Sequence, residues 1–277
     1  DGRTEYVCSD ESWKEARSPI VFNNLHRGEV YDANLEIPGW YTAGLDESSL
    51  TNAVIKEAPQ GRLTANMGPT DKVMETLKPV SFEKLEDGSW KADFGKVISG
   101  WVRFEGVNVS KGDTIKVKLL SEYPSDRCEY ICAADGKVTT NPKFTWFVFR
   151  EAVISGIGEL DPSQIVAQAV NTNVKPNATF SCSNDLFCRI EQIWRQSQLD
   201  NMHAGVATDW PHRERLPYTG DGQIAMPMVL ANFDVAAFYN KWIGDVKASQ
   251  NPETGYVPNG APWEPCCGGG PAWGAAI

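Results

Sequence analysis

No apolar run in this 277-residue chain approaches the roughly 20 residues that a helix needs to cross a bilayer, so no membrane span is expected. The opening stretch, DGRTEYVCSD, has neither the basic start nor the apolar stretch of a secretion leader, a segment that is removed from mature proteins. Positive charge is in deficit: 26 Lys and Arg against 36 Asp and Glu leave a net charge of −10. Nucleic acid and anionic membrane would both repel such a chain and are excluded as partners. Histidine is scarce, and His26, His203 and His212 show no spacing suited to a metal. The seven cysteines form no metal-type pattern either, because Cys128 and Cys132 have no second close pair at a finger-like distance. Cys266 and Cys267 are adjacent and poorly placed to bridge each other. An odd count does not form a disulfide framework, although one or two bridges are compatible with it.

What is present is ordinary for a water-exposed globular protein: 42% hydrophobic and 22% charged residues, over a length that can bury a sizeable core. The ten tryptophans suit both sugar-facing surfaces and large β-sandwich cores. The first ~170 residues predict β-structure. RGEVYDANLE, GSWKADFGKVISGWVRFEGVNV, DTIKVKLL and KFTWFVFREAVISG alternate apolar and polar positions between Gly, Asp and Asn turns. Pro59, Pro69 and a polar run to Lys78 suggest a joint between two β units, and NTNVKPNATFSCSND reads as a linker. NVS at Asn108 and NAT at Asn177 match the glycosylation tripeptide, a pattern frequent by chance.

The period then changes. Leu186, Phe187, Ile190, Ile193, Trp194 and Ser197 follow helical spacing behind Ser183 or Asn184 as N-cap. Two more helical stretches, GQIAMPMVLANF and DVAAFYNKWIGDVKASQ, are expected to be capped near Asp221 and Asp234. A Gly- and Pro-rich loop follows, and PAWGAAI reads as the start of another helix. Three and a fraction helices bury little on their own, so a piece of something larger is expected.

Between the first two helices lies ATDWPHRERLPYTGDGQ, residues 207–223, which gathers Asp209, Glu214 and Asp221 among arginines and turn residues. Two readings of its spacing stay open. In the first, Asp209 caps a helix beginning at Trp210-Pro211, Asp221 caps the next, and Arg213 and Arg215 pair with the carboxylates. In the second, the carboxyls serve glycoside hydrolysis. That reaction needs one carboxylic acid to protonate the departing oxygen and one carboxylate at the anomeric centre. Crowded carboxylates raise one pKa by repulsion, as a general acid requires. Trp210, Tyr218 and Trp263 supply aromatic faces for a sugar, and His212 is placed to hydrogen-bond a sugar or a neighbouring carboxylate.

TDWPHRERLPYTGD resembles the TDCPxRERxGWTGD signature of the α-L-rhamnosidases of glycoside hydrolase family 78. The resemblance runs along nearly the whole chain. SPIVFNNLHRGEVYDANLEIPGW is similar to the end of that family's N-terminal β-sandwich. DFGKVISGWVRFEG and FTWFVFREAVISG are similar to its later strands, and FSCSNDLFCRIEQIWRQSQLDN to the first helix of its (α/α)6 barrel. The implied architecture is multidomain β plus α. Residues 1–62 would end an N-terminal β-sandwich, 63–172 form a second, jelly-roll-like one, and 173–277 open an incomplete (α/α)6 barrel.

The resemblance implies an inverting hydrolase that releases terminal α-L-rhamnose from plant-type glycans or glycosides. Glu214 matches the family's general acid, Asp209 and Asp221 match rhamnose-binding carboxylates, and Arg213 matches the motif arginine. Tyr218, and by barrel position Trp263 or Trp273, would line the sugar pocket. Inversion implies carboxyls roughly 6.5–9.5 Å apart with a water between them. Pro217-Tyr218 replaces the family's Gly-Trp, Trp210 replaces a cysteine, and WGAA at 273–276 lacks an aspartate common there. The family's general base is a glutamate from a later part of the barrel. Glu253 and Glu264 read as solvated loop carboxylates instead, so the 277-residue chain alone is expected to be inactive. No cofactor is expected, and a structural calcium in a β domain is compatible with the sequence. The expected partner is a carbohydrate, the expected location secreted or periplasmic, and nothing signals an oligomeric state. Two other functions fit the same residues: a non-catalytic carbohydrate-binding module, and a glycosidase of the same fold acting on another sugar.

Overall fold

The computed structural model describes residues 2–123, 127–262 and 267–275. In chain order its strands are β1 (Lys14–Glu15), β2 (Ile20–Asn24), β3 (Gly28–Asp32), β4 (Thr51–Asn52), β5 (Asp71–Leu77), β6 (Ser81–Lys84), β7 (Trp90–Val109) and β8 (Thr114–Leu120). They continue as β9 (Arg127–Ile131), β10 (Gly136–Thr140), β11 (Phe147–Ser155), β12 (Ile165–Thr172), β13 (Lys175–Pro176), β14 (Met202–His203), β15 (Val206–Ala207) and β16 (Phe233–Asp234). The helices are α1 (Asp185–Asp200), α2 (Thr219–Asn232), α3 (Ala236–Ser249) and the single turn α4 (Pro271–Gly274).

The long β7 organises the β region. Its alternation buries Ala92, Phe94, Val102 and Phe104, while Lys91, Asp93, Lys96 and Arg103 reach toward water. It pairs with β11 through its first half, with β12 near its middle and with β10 at its end, and β6 also lies along it. The main sheet runs β2-β3-β9-β8-β11-β7-β12-β5, antiparallel except for the β3–β9 pair. Residues 20–32 therefore share one sheet with residues 71–172. Ile98, Phe149, Ile154 and Ile165 are fully buried in its core, and each contributes about 1.5–3 kcal/mol of burial. The polar run toward Lys78 is strand β5, not a bare joint. It is mostly exposed and pairs on one side only, with β12, so it carries no apolar alternation.

Helix α1 starts where its spacing places it, with the Asn184 side chain accepting the Leu186 N–H. Cys182 and Cys188 lie at this end with their sulphurs 3.8 Å apart and unbonded. The apolar stripe of α1 faces outward: Leu186, Phe187, Ile190 and Ile193 are 53–65% exposed. Polar Gln198 and Asp200 are the buried residues instead. A second core joins Met202, Ala207, Val229, Phe233, Phe238 and Trp242 between the β14–β15 hairpin and helices α2 and α3. No helix of the described residues is long and apolar enough to cross a membrane.

Two caps differ from expectation. Helix α2 begins at Thr219 behind Tyr218, so Asp221 sits inside its first turn, where it still favours the positive end of the helix dipole. Helix α3 begins after Val235, and Asp234 belongs to β16, which pairs with β13.

Two carboxylates, Asp200 buried and Asp71 half-buried, join the helices to the sheet. Asp200, at the end of α1, accepts the Ser99 N–H of β7 at 2.7 Å. Asp71, at the start of β5, accepts the Ala204 N–H and the Thr172 hydroxyl, both at 2.9 Å, and faces His203 Nδ1 at 3.3 Å. Ala204 and Gly205 form the turn of the β14–β15 hairpin with φ of 52° and 73°, the positive pair that a tight hairpin demands. Residues 202–207, thus held on both sides, deliver the chain into the charged motif.

Candidate active site

Residues 209–216 close into a loop. The Asp209 N–H donates to the Leu216 carbonyl at 3.1 Å, and the Leu216 N–H returns a bond to Asp209 Oδ1 at 3.1 Å. Inside it, the N–H groups of Arg213 and Arg215 both reach the Trp210 carbonyl at 3.2 Å. The expected helix at Trp210-Pro211 is therefore a turn, and Asp209 caps its own loop rather than a helix.

This loop brings Asp209, Arg213 and Glu214 together. The Glu214 carboxyl stands within reach of that of Asp209 and forms an ion pair with Arg213. The Arg213 guanidinium lies 4.8 Å from the Trp210 ring, whose edge meets Tyr123 at 5.8 Å, and it hydrogen-bonds Tyr123. Protonated Glu214 can donate to the Asp209 carboxylate, and this pairing, aided by desolvation and the Asp209 charge, raises the Glu214 carboxyl above its usual range. Arg213 opposes the rise without cancelling it. A carboxyl with this bias holds its proton closer to neutral pH and can lose it to a departing oxygen.

A second pair forms at the first turn of α2. Asp221 Oδ2 accepts the indole N–H of Trp273 at 3.2 Å. The ring of Trp273 lies on Gly220, where an added Cβ would come within 2.7 Å of it. The Thr219 hydroxyl donates to the Trp273 and Asn259 carbonyls, which ties α4 and the preceding loop to α2. Tyr218 is half-buried at the cap of α2 and bridges Gly260 through its backbone. Trp263 and Glu264 lie outside the described residues, and Glu253 is exposed in its loop. His212 is half-buried, and burial lowers its ring pKa. With Asp209 and Trp210 it lines an open recess of about 980 Å³ against Gln196 and Asp200 of α1. Among the described residues no group of three or more His, Cys, Asp or Glu side chains is arranged to hold a metal ion.

Sequence reasoning missed several partners of this loop. Tyr123, Trp146, His203, Asp71 and Asp200 all come from outside residues 207–223, and no local spacing marks them. Arg215 pairs with no carboxylate among the described residues, contrary to the capping reading. It is 7% exposed and donates to the Pro211 and Leu25 carbonyls.

Residues 1–75 match the α-L-rhamnosidase N-terminal domain, and residues 175–277 match the bacterial α-L-rhamnosidase six-hairpin glycosidase domain. An α-L-rhamnosidase of Formosa agariphila is 33% identical over 275 residues, covering 92% of this chain and 29% of that protein. The solved α-L-rhamnosidase of Dictyoglumus thermophilum superposes with a TM-score of 0.88 at 32% identity, over 98% of this chain and 32% of that one. The enzyme of Aspergillus terreus gives 0.87 at 26% identity, over 99% and 34%. The chain spans about a third or less of the length of these relatives.

Proposed function

Because the chain belongs to the α-L-rhamnosidase family, we propose that it carries the general-acid half of a site that releases terminal α-L-rhamnose with inversion. Glu214 is the proton donor to the departing oxygen. Asp209 raises its pKa and, with Asp221 and Arg213, binds the sugar hydroxyls through charge-assisted hydrogen bonds. Tyr218 and Trp273 line the sugar pocket. The base that activates water stands roughly 6.5–9.5 Å from Glu214 and comes from a glutamate outside the 277 residues. The substrates are plant-type rhamnosylated glycans or glycosides, the location is secreted or periplasmic, and no cofactor takes part in the reaction.

The observation that carries this reading is the loop closed on itself at Asp209 and Leu216, which sets the Glu214 carboxyl beside that of Asp209 and so biases it toward its protonated form. The same premise assigns residues 173–277 to the opening of an (α/α)6 barrel, behind a β region in which residues 20–32 share one sheet with residues 71–172. The outward apolar stripe of α1, with exposed Ile224 and Met228 of α2, supports further helices packing there.

The test is the anomer first released when the full-length protein hydrolyses an α-L-rhamnoside, followed by proton NMR. β-L-Rhamnose appearing first is expected. The α-anomer appearing first would exclude inversion, and no hydrolysis of any rhamnoside would exclude the substrate class.

A further inference from the structure

Glu214 lies between two arginines that behave differently. Arg213 is exposed and touches the carboxylate directly. Arg215 turns the other way and is buried against the β region. Its backbone is in the left-handed region, with φ of 56°, a conformation shared among described non-glycine residues only with Ala204. Such a residue holds its place only where its surroundings over-determine it.

Those surroundings can be named. The Arg215 guanidinium lies 4.1 Å from the centre of the Trp146 ring and 4.9 Å from that of Phe147, at the start of β11. Its Nε donates to the Pro211 carbonyl at 3.0 Å, and Nη1 donates to the Leu25 carbonyl in the β2–β3 turn. His26 of that turn lies beside the Arg213 backbone, so the turn adjoins both neighbours of Glu214. Trp146 in turn stacks on His203 with centroids 3.6 Å apart and planes 10° apart, and His203 faces Asp71. An unbroken series of contacts runs from Asp71 in β5 through His203, Trp146 and Arg215 to the backbone of Glu214.

We infer that Arg215 is a positioning residue for the general acid: clamped on Trp146 and Phe147, it fixes the backbone turn that aims Glu214 at the departing oxygen. The inference rests on the proposed role of Glu214. A guanidinium suits the task because it is planar, stacks on rings and donates in a fork, whereas a lysine ammonium keeps the charge but neither stacks nor forks. A misplacement of about 1 Å at a reacting group can cost about 100-fold.

The experiment compares Arg215→Lys, Trp146→Leu, Trp146→Phe and Glu214→Gln in the full-length enzyme. Each is assayed on a 2,4-dinitrophenyl rhamnoside, which needs little acid assistance, and on an alkyl rhamnoside, which needs much. Arg215→Lys and Trp146→Leu should lower kcat on the alkyl substrate by about 10- to 100-fold and on the activated one by under about 3-fold, with KM little changed. Trp146→Phe keeps an aromatic platform and should recover most of the loss. Equal losses on both substrates in Arg215→Lys and Trp146→Phe, with Glu214→Gln still selective, would make Arg215 a merely structural residue and overturn the inference. Absence of leaving-group dependence in Glu214→Gln itself would instead remove the acid assignment on which the inference stands.

Discussion

Asp200 and Ser99 are joined by a buried hydrogen bond of 2.7 Å from the β7 backbone to the carboxylate that ends α1. Gln196 donates to the same oxygen at 3.0 Å. Burial outweighs these donors and pushes the Asp200 carboxyl up to about 6. Because this lies above the value in an unfolded chain, the native state holds an extra proton between about pH 4 and 6. The associated stability is full below about pH 4 and is lost as pH rises past about 6, a change of roughly 3 kcal/mol. Asp200→Asn keeps the acceptor oxygen without the charge. Urea unfolding should find it close to the parent protein at pH 4 and more stable at pH 7.5. A parent protein that gains on the variant as pH rises would contradict this.

Gly222 lies under Trp242 on the face of α2 that meets α3. An added Cβ would stand 2.2 Å from the ring, which is fully buried and fixed by its bond to the Ala261 carbonyl at 2.8 Å. Helix propensity favours Gly→Ala by about 1 kcal/mol, and overpacking opposes it by about 1–3 kcal/mol. Gly222→Ala should therefore lower the urea midpoint of the chain. Gly244→Ala in α3, where an added Cβ meets nothing within 4 Å, should raise it. The same sign for both would show that α2 and α3 do not pack through this contact.

Asp209 and Arg213 act on Glu214 in opposite directions, and the alkaline limb of kcat/KM should report it. Asp209→Asn removes the main cause of the raised Glu214 pKa, so the limb should move to lower pH. Arg213→Ala removes the opposing cation, so the limb should move to higher pH. Shifts in the same direction would break the assignment of that limb to Glu214.

Much of this site is local, and that part is legible in the sequence. Asp209, Arg213 and Glu214 meet because a loop of eight residues closes on itself, and β7, β8 and α1 are marked by their own periodicities. What escapes local reading depends on distant partners. Trp273 reaches Asp221 across 52 positions, and Thr219 spends its hydroxyl on the 259 and 273 carbonyls, so α2 starts two residues before its expected cap. Strand β5 is exposed and carries no alternation. Arg215 resembles Arg213 in the motif, and only the fold reveals that one faces the carboxylate and the other the Trp146 ring.

Trp273 should affect binding more than chemistry. Trp273→Phe keeps an aromatic face over Gly220 and deletes the N–H donated to Asp221. Asp221 then loses the donor that orients it toward the sugar, so KM for an alkyl rhamnoside should rise several-fold with kcat little changed. A fall in kcat alone would place Trp273 with the proton-transfer groups instead.

The most direct test of the account is turnover of an alkyl or other poorly activated α-L-rhamnoside by full-length Glu214→Gln protein that retains the parental thermal unfolding curve. Loss of turnover by about 100-fold or more is expected if Glu214 donates the proton. A rate near that of the parent enzyme would contradict the role of Glu214 as the general acid.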